Sequence, residues 1–130
     1  MHLSHMNKTI KKTIFWGYFV FINIMYFKPG TDQPEETVED KEPLIRVDYL
    51  QHFGIFFLLS MLFLLGFKPK HPFLWIAILA TYAILAEFFQ DFVEGRSYNP
   101  VDMFLNLAGG LAGILAWRMV SKKRDDWKTH

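Results

Sequence analysis

Three pairs of polar residues at helical spacings are the part of this sequence best suited to chemistry. The members of each pair are three or four positions apart, so they share one face of a helix. A carboxyl group near an imidazole or an amide can bind a polar ligand through hydrogen bonds or transfer a proton. The pairs are Asp48 with His52, Glu87 with Gln90, and Asp102 with Asn106. Their spacing predicts a polar site to which several helices contribute.

The distribution of charge along the chain indicates what kind of elements must hold these residues. The chain has 130 residues, enough for one domain, and 52% of them are hydrophobic. Its charged residues crowd into a few stretches and leave long runs that are almost uncharged. A net charge of +1 gives no basic surface for a nucleic-acid partner, and the lack of cysteine excludes disulfides and thiolate chemistry. The uncharged runs predict membrane-spanning helices.

Four segments are predicted to be membrane spans. A helix needs about 20 mostly apolar residues to cross a hydrocarbon core of about 30 Å. We expect helices over about residues 9–27, 49–67, 72–93 and 101–120. The predicted fold class is therefore all-α: an integral membrane four-helix bundle of two helical hairpins. The whole chain, residues 1–130, would form a single membrane domain.

The positions of Lys and Arg predict the orientation of this bundle. Ten of the 14 would lie on the side that holds both chain ends, and positively charged segments are retained in the cytoplasm. Both termini are therefore predicted to be cytoplasmic, with residues 121–130 as a basic cytoplasmic tail. Residues 29–43, which are acidic and rich in turn formers, are predicted to form an extracytoplasmic loop. The predicted location is the cytoplasmic (inner) membrane, crossed several times.

In this orientation the polar pairs gather at the external ends of three predicted helices. Charged side chains in the hydrocarbon region are costly, so they normally face the interior of a bundle. We predict a pocket that opens to the external surface, is lined by both members of each pair, and has Arg96 as its cation. The alternative is a buried network that sets the register of the helices, in which Arg96 neutralises Glu87 or Asp102.

Small residues in the predicted fourth helix indicate close packing between helices. Gly109 and Gly113 are four residues apart and form a GxxxG pair. Two helix backbones can approach closely at such a pair, because no side chain separates them. We favour a partner helix inside the bundle over a seam between two copies of the chain. A homo-oligomer is the alternative.

The same residues resemble the VanZ-like family of small polytopic bacterial membrane proteins. In that family the second span opens with an Asp and a His-Phe pair, to which Asp48 and His52-Phe53 are similar. Tyr49 departs from the family pattern, which has Lys there. The later pattern Glu-x-x-Gln, Gly-Arg and Asp-x-x-x-Asn-x-x-Gly-x-x-x-Gly is similar to Glu87, Gln90, Gly95-Arg96, Asp102, Asn106, Gly109 and Gly113.

The resemblance covers about residues 48–116. It implies a multi-pass membrane protein of the bacterial cell envelope. It also implies a link to resistance against the glycopeptide antibiotic teicoplanin, for which the family is named.

Three functions are consistent with these residues. The first is a membrane protein whose pocket binds an envelope lipid or an amphipathic small molecule, with Arg96 contacting an anionic headgroup. The second is an intramembrane enzyme for a lipid-linked substrate, with Asp48, His52 and Glu87 as candidate acid and base groups. The third is a structural subunit of a membrane assembly. Membrane lipid is an expected partner, whereas we expect no cofactor and no metal, since His52 among carboxylates supplies few nitrogen or sulfur donors.

Overall fold

Four α-helices make up the part of the chain that the computed structural model describes. That part comprises residues 6–30, 47–96 and 98–128, with the backbone alone at Pro72, Phe73 and residues 123–128. The helices are α1 (Lys8–Phe27), α2 (Val47–Phe67), α3 (Pro72–Gln90) and α4 (Pro100–Lys128). No β-strand occurs in these ranges, so the all-α fold class is confirmed. Most of the predicted loop 29–43 lies outside the described residues.

The ends of α3 and α4 differ from the sequence prediction. α3 ends at Gln90 rather than at residue 93. The backbone N–H of Val93 donates to the carbonyl of Gln90 at 3.0 Å, a tight turn that replaces the helical pattern. α4 continues to Lys128, well past residue 120, because neither glycine nor proline follows Val120 to stop it. Most of the predicted basic tail is therefore a continuation of α4.

The start of α4 is fixed by a polar cap. Asn99 Oδ1 accepts from the backbone N–H of Val101 at 3.0 Å, which satisfies one of the free donors at a helix start. Pro100 occupies the first helical position, where the missing N–H costs no hydrogen bond. This cap sets the orientation of the first turn of α4, which carries Asp102.

The four helices contact one another in the order α1, α2, α4, α3 and back to α1. The contact between α2 and α4 is the most extensive, and that between α1 and α3 is the smallest of these. Glycines on α4 explain the extensive contact between α2 and α4. A Cβ on Gly109 would overlap the backbone carbonyl of Phe53, and one on Gly113 would lie 2.5 Å from the carbonyl oxygen of Phe57. The GxxxG pair thus packs against α2, inside the bundle.

Aromatic side chains fill the bundle at the end where α1 begins. Phe63 of α2 stacks on Trp75 of α3 with ring centroids 3.6 Å apart. Phe15 of α1 contacts both rings edge-on. The Lys12 ammonium lies 5.1 Å from the centroid of the Phe67 ring at this end. The polar residues predicted to form the site therefore lie at the opposite end.

The outward faces of all four helices are apolar. Exposed large hydrophobic side chains include Val20, Phe21 and Ile24 on α1, Leu50 and Leu58 on α2, Leu74, Ile78 and Phe88 on α3, and Phe104, Leu111 and Leu115 on α4. Within the described ranges, Val47–Phe67 and Pro100–Lys122 are long and apolar enough to cross a membrane, and Leu74–Gln90 is a shorter apolar helix. Helices that are apolar on both inner and outer faces suit lipid surroundings.

Candidate functional site

Polar side chains from all four helices meet at the end of the bundle where α1 and α3 end and α2 and α4 begin. His52 and Asp102 keep 14% and 15% of their side-chain surface exposed. The other members, Tyr26, Glu87, Gln90 and Asn106, are buried. We call these six residues the polar cluster. It is closed toward the middle of the bundle and partly open at His52 and Asp102.

Asn106 is the centre of the polar cluster, because its amide group contacts the three other helices. The Tyr26 hydroxyl of α1 donates to Asn106 Oδ1 at 2.8 Å. Asn106 Nδ2 donates to Oε1 of Glu87, on α3, at 3.1 Å. His52 Nδ1, on α2, lies 3.1 Å from Asn106 Oδ1. One fully buried side chain therefore connects α4 to α1, α2 and α3.

His52 lies between two carboxylates. Its Nδ1 is 3.7 Å from Oε1 of Glu87, and its Nε2 is 3.5 Å from Oδ2 of Asp102. The side-chain oxygen of Asn106 can only accept, so Nδ1 donates to it when that nitrogen carries a proton. An imidazole in this position can form ion pairs with both carboxylates or exchange a proton with a bound group.

Tyr26 occupies the middle of the polar cluster, although it belongs to none of the polar pairs that the sequence shows. Its hydroxyl lies 3.0 Å from His52 Nδ1. Its backbone carbonyl accepts from Gln90 Nε2 at 3.2 Å. In the sequence Tyr26 lies in an apolar run with several other aromatic residues, so it looks like a residue that only packs in the core. The one feature of the sequence that could have indicated its role is its position near the end of the first predicted span, at the same end of the bundle as the polar pairs.

Close backbone contacts hold this end of the bundle together. Gly109 brings α4 against the backbone of Phe53, the residue that follows His52. On another side, the N–H of Gly30 donates to the carbonyl of Glu94 at 2.9 Å. This bond ties the segment after α1 to the segment after α3. This backbone bond therefore helps to hold Tyr26 of α1 close to Glu87 and Gln90 of α3, in addition to the side-chain contacts of these residues.

Two carboxylate oxygens in the polar cluster are buried without a hydrogen bond of good geometry among the described residues: Glu87 Oε2 and Asp102 Oδ1. The backbone N–H of Asn99 lies near the Glu87 carboxyl group. Buried polar atoms are normally paired, and leaving one unpaired costs about 1–3 kcal/mol. Both oxygens belong to side chains that flank His52. They mark the place where an additional hydrogen-bond donor would complete the cluster.

Asp48 and Arg96, both predicted site residues, lie around the polar cluster rather than at its centre. Asp48 is half-buried in the first turn of α2, one turn before His52. Arg96 lies between α3 and α4, and its side chain is exposed. In the described chain the basic side chain that lies beside both Glu87 and Asp102 is the imidazole of His52. The roles of Asp48 and Arg96 as lining residues stay predictions.

The polar cluster does not have the arrangement of a metal site. Across the described residues, no group of three or more His, Asp and Glu side chains could hold a metal ion. The two ring nitrogens of His52 face different carboxylates, so one ion cannot bind the imidazole together with both of them. The expectation that the protein uses neither metal nor cofactor stays a prediction.

The fold, the outer surface and the polar cluster define a class of protein: an all-α bundle with apolar outer faces and a polar site at one end. The chain belongs to the VanZ/LLP1 family, whose family model matches residues 2–121. This match confirms the family resemblance and extends it to α1 and the acidic segment. No curated protein and no solved structure matches the chain. Family membership and the two apolar helices α2 and α4 together indicate a membrane protein.

Proposed function

We propose that the chain crosses the membrane four times, with both termini in the cytoplasm and the polar cluster at the external ends of the helices. The exposed apolar side chains of α1 and α3 support this, since they match those of α2 and α4. The 20 residues of α1 and 19 of α3 correspond to about 30 and 28 Å, close to the thickness of the hydrocarbon core. Basic residues near the start of α1 and the end of α4 favour that end as the cytoplasmic one.

In this position the function that the geometry supports best is binding of an envelope lipid or an amphipathic small molecule. The observation that carries the proposal is the pair of unpartnered acceptors, Glu87 Oε2 and Asp102 Oδ1, in a cluster that is otherwise hydrogen-bonded. A network kept only to fix helix register is expected to satisfy its own polar atoms. Two open acceptors beside the partly exposed His52 suit a site that a ligand completes.

The surroundings of the polar cluster suit an amphipathic ligand. The cluster opens at His52 and Asp102, while apolar helix faces run along the bundle where a hydrocarbon chain would lie. The exposed Arg96 would contact an anionic part of the headgroup. Asp48 would line the same opening. The proposed link to glycopeptide resistance rests on the resistance for which the family is named.

A second candidate function is an intramembrane enzyme acting on a lipid-linked substrate. The position of His52, 3.7 Å from Glu87 and 3.5 Å from Asp102, favours it, because a proton could pass between the ring and a bound group. Asp48 is a further candidate acid or base. Such an enzyme would release a changed product, so His52→Ala would retain unreacted substrate that the wild-type protein does not hold.

Lipid analysis of protein purified in a mild detergent tests the binding proposal. Mass spectrometry should find at least one lipid or amphiphile enriched over the whole membrane extract with the wild-type protein. The same species should be lost from Glu87→Gln, because this change removes a charged acceptor from the cluster. Glu94→Gln is the matched control: it removes an exposed carboxylate at the same end of the bundle and should keep the ligand.

The lipid profiles of the variants distinguish the binding protein from the enzyme. Identical profiles for wild type, Glu87→Gln and Arg96→Ala, with no enriched species, would contradict the binding proposal. A species that accumulates only in His52→Ala would favour the enzyme.

A further inference from the structure

We infer that the part of the ligand that enters the polar cluster is a primary ammonium group, carried by an amphiphile. This inference rests on the proposed function and specifies its ligand. It follows from the hydrogen-bonding positions that the cluster leaves open and from the charges around them.

The hydroxyl and amide donor groups of the polar cluster each donate one hydrogen bond within it. The Tyr26 hydroxyl donates to Asn106, and Asn106 Nδ2 donates to Glu87. Gln90 Nε2 donates to the backbone carbonyl of Tyr26. The two ring nitrogens of His52 face oxygen atoms of the cluster. A ligand that needs donors from the protein therefore finds few of them here.

The positions that stay open are acceptors. Glu87 Oε2 belongs to a side chain with 0% exposure, and Asp102 Oδ1 is likewise a buried atom. A ligand atom that completes them has to carry hydrogen. An ammonium group has three N–H donors and no acceptor, so it matches open acceptors and adds no acceptor of its own that would need a donor.

The formal charges point to the same group. With both carboxyl groups ionised, Glu87 and Asp102 carry two negative charges, of which a protonated His52 can balance one, and Arg96 is exposed outside the cluster. Burying uncompensated charge is costly, and a cation offsets that cost. An anionic headgroup placed at the open oxygens would instead meet like charge. A metal cation suits the site less well, because no group of three or more His, Asp and Glu side chains among the described residues could hold one.

The opening of the cluster adds a second preference. The exposed guanidinium of Arg96 suits a phosphate group, which it can bind through paired hydrogen bonds. A zwitterionic aminolipid, with its ammonium group inside and its phosphate toward Arg96, satisfies both features. A simple long-chain amine satisfies the first alone. Both share the ammonium group, and the experiment separates them.

The test compares headgroups that differ in charge and in N–H donors. Purified, delipidated protein in dodecylmaltoside is titrated with phosphatidylethanolamine, phosphatidylcholine, phosphatidylglycerol, dodecylamine or dodecanoate, and the melting midpoint is recorded. We expect phosphatidylethanolamine or dodecylamine to raise the midpoint. Phosphatidylcholine, whose ammonium has no N–H, and the two anionic compounds should leave it unchanged. A response to phosphatidylethanolamine identifies a membrane lipid as the source, and a response to dodecylamine alone identifies another amphiphile.

Variants locate the effect at the polar cluster. In Glu87→Gln the affinity for the stabilising amine should fall at least about tenfold, because a charge-assisted hydrogen bond is lost. Glu94→Gln should bind as the wild type does. Asp102→Asn provides a second variant if Glu87→Gln does not fold, and the headgroup comparison itself needs no variant.

The outcomes separate this inference from the proposed function. Equal stabilisation by phosphatidylcholine or phosphatidylglycerol, abolished in Glu87→Gln, would overturn the ammonium group and leave ligand binding in place. If no compound raises the midpoint and no lipid copurifies, both are overturned.

Discussion

Asn106→Ala should lower the stability of the protein more than any other single substitution in the polar cluster. It removes the acceptor of the Tyr26 hydroxyl and the donor to Glu87 Oε1, contacts of 2.8 and 3.1 Å. Both former partners stay buried, and Glu87 then receives no hydrogen bond from the described side chains. The substitution also releases α4 from α1 and α3 at this end of the bundle.

The size of this effect depends on burial more than on the number of hydrogen bonds. Hydrogen bonds between membrane helices average about 0.6 kcal/mol, so two lost bonds alone would cost about 1 kcal/mol. Each buried polar group left unpaired costs about 1–3 kcal/mol, and a charged one costs more. We therefore expect Asn106→Ala to reduce the free energy of unfolding by about 2–4 kcal/mol. A denaturation curve in mild detergent measures it.

Leu115→Ala is the control for this substitution. It truncates a side chain on the same helix that is 59% exposed on the outer face, and it should change the free energy of unfolding little. Equal losses in the two variants would show that Asn106 contributes no more to stability than a side chain on the outer face, which contradicts its place at the centre of the cluster.

Gly109→Ala should also be strongly destabilising, for a steric reason. A Cβ at this position would overlap the carbonyl oxygen of Phe53 and lie 2.8 Å from its carbonyl carbon. The obstacle is backbone rather than a flexible side chain, so α2 and α4 have to separate. Overpacking in a tight interior costs about 1–3 kcal/mol, and we expect a loss of about 2–3 kcal/mol here. The melting midpoint in detergent should fall accordingly.

Gly54→Ala is the matched control, since Gly54 lies on α2 with no described atom within 4 Å of a Cβ built there. Alanine favours a helix over glycine by up to about 1 kcal/mol, so this variant should be as stable as the wild type or more stable. Equal melting midpoints for Gly109→Ala and Gly54→Ala would contradict the close approach of α2 and α4 at Gly109.

The polar pairs could be predicted from the sequence because helical spacing determines which residues share a face. Once the chain is divided into antiparallel helices, His52, Glu87 and Asn106 necessarily lie at the same end. The structure adds that they touch, through the hydrogen bonds of Asn106 and the contact of His52 with Glu87. It also places the glycine face of α4 against α2. The GxxxG spacing alone does not determine which helix packs there.

Other features depend on tertiary contacts that no local pattern encodes. Tyr26 joins the cluster because α1 packs beside α2, yet in the sequence it is one aromatic residue among many. The sequence predicts Arg96 as the cation of the site, and it does not reveal that the imidazole of His52 lies beside both carboxylates. The length of α4 was underestimated because basic residues are compatible with helix as well as with a tail.

The central claim is that a ligand completes the polar cluster, and the melting midpoint of delipidated Glu87→Gln tests it most directly. The amide keeps the shape of the side chain and an oxygen that accepts from Asn106, while it replaces a buried carboxyl group whose Oε2 accepts from no described side chain. Residues kept for function commonly cost stability. The claim predicts that this midpoint equals or exceeds that of delipidated wild type. A fall as large as that of Asn106→Ala would contradict it and identify the cluster as a network that only fixes helix register.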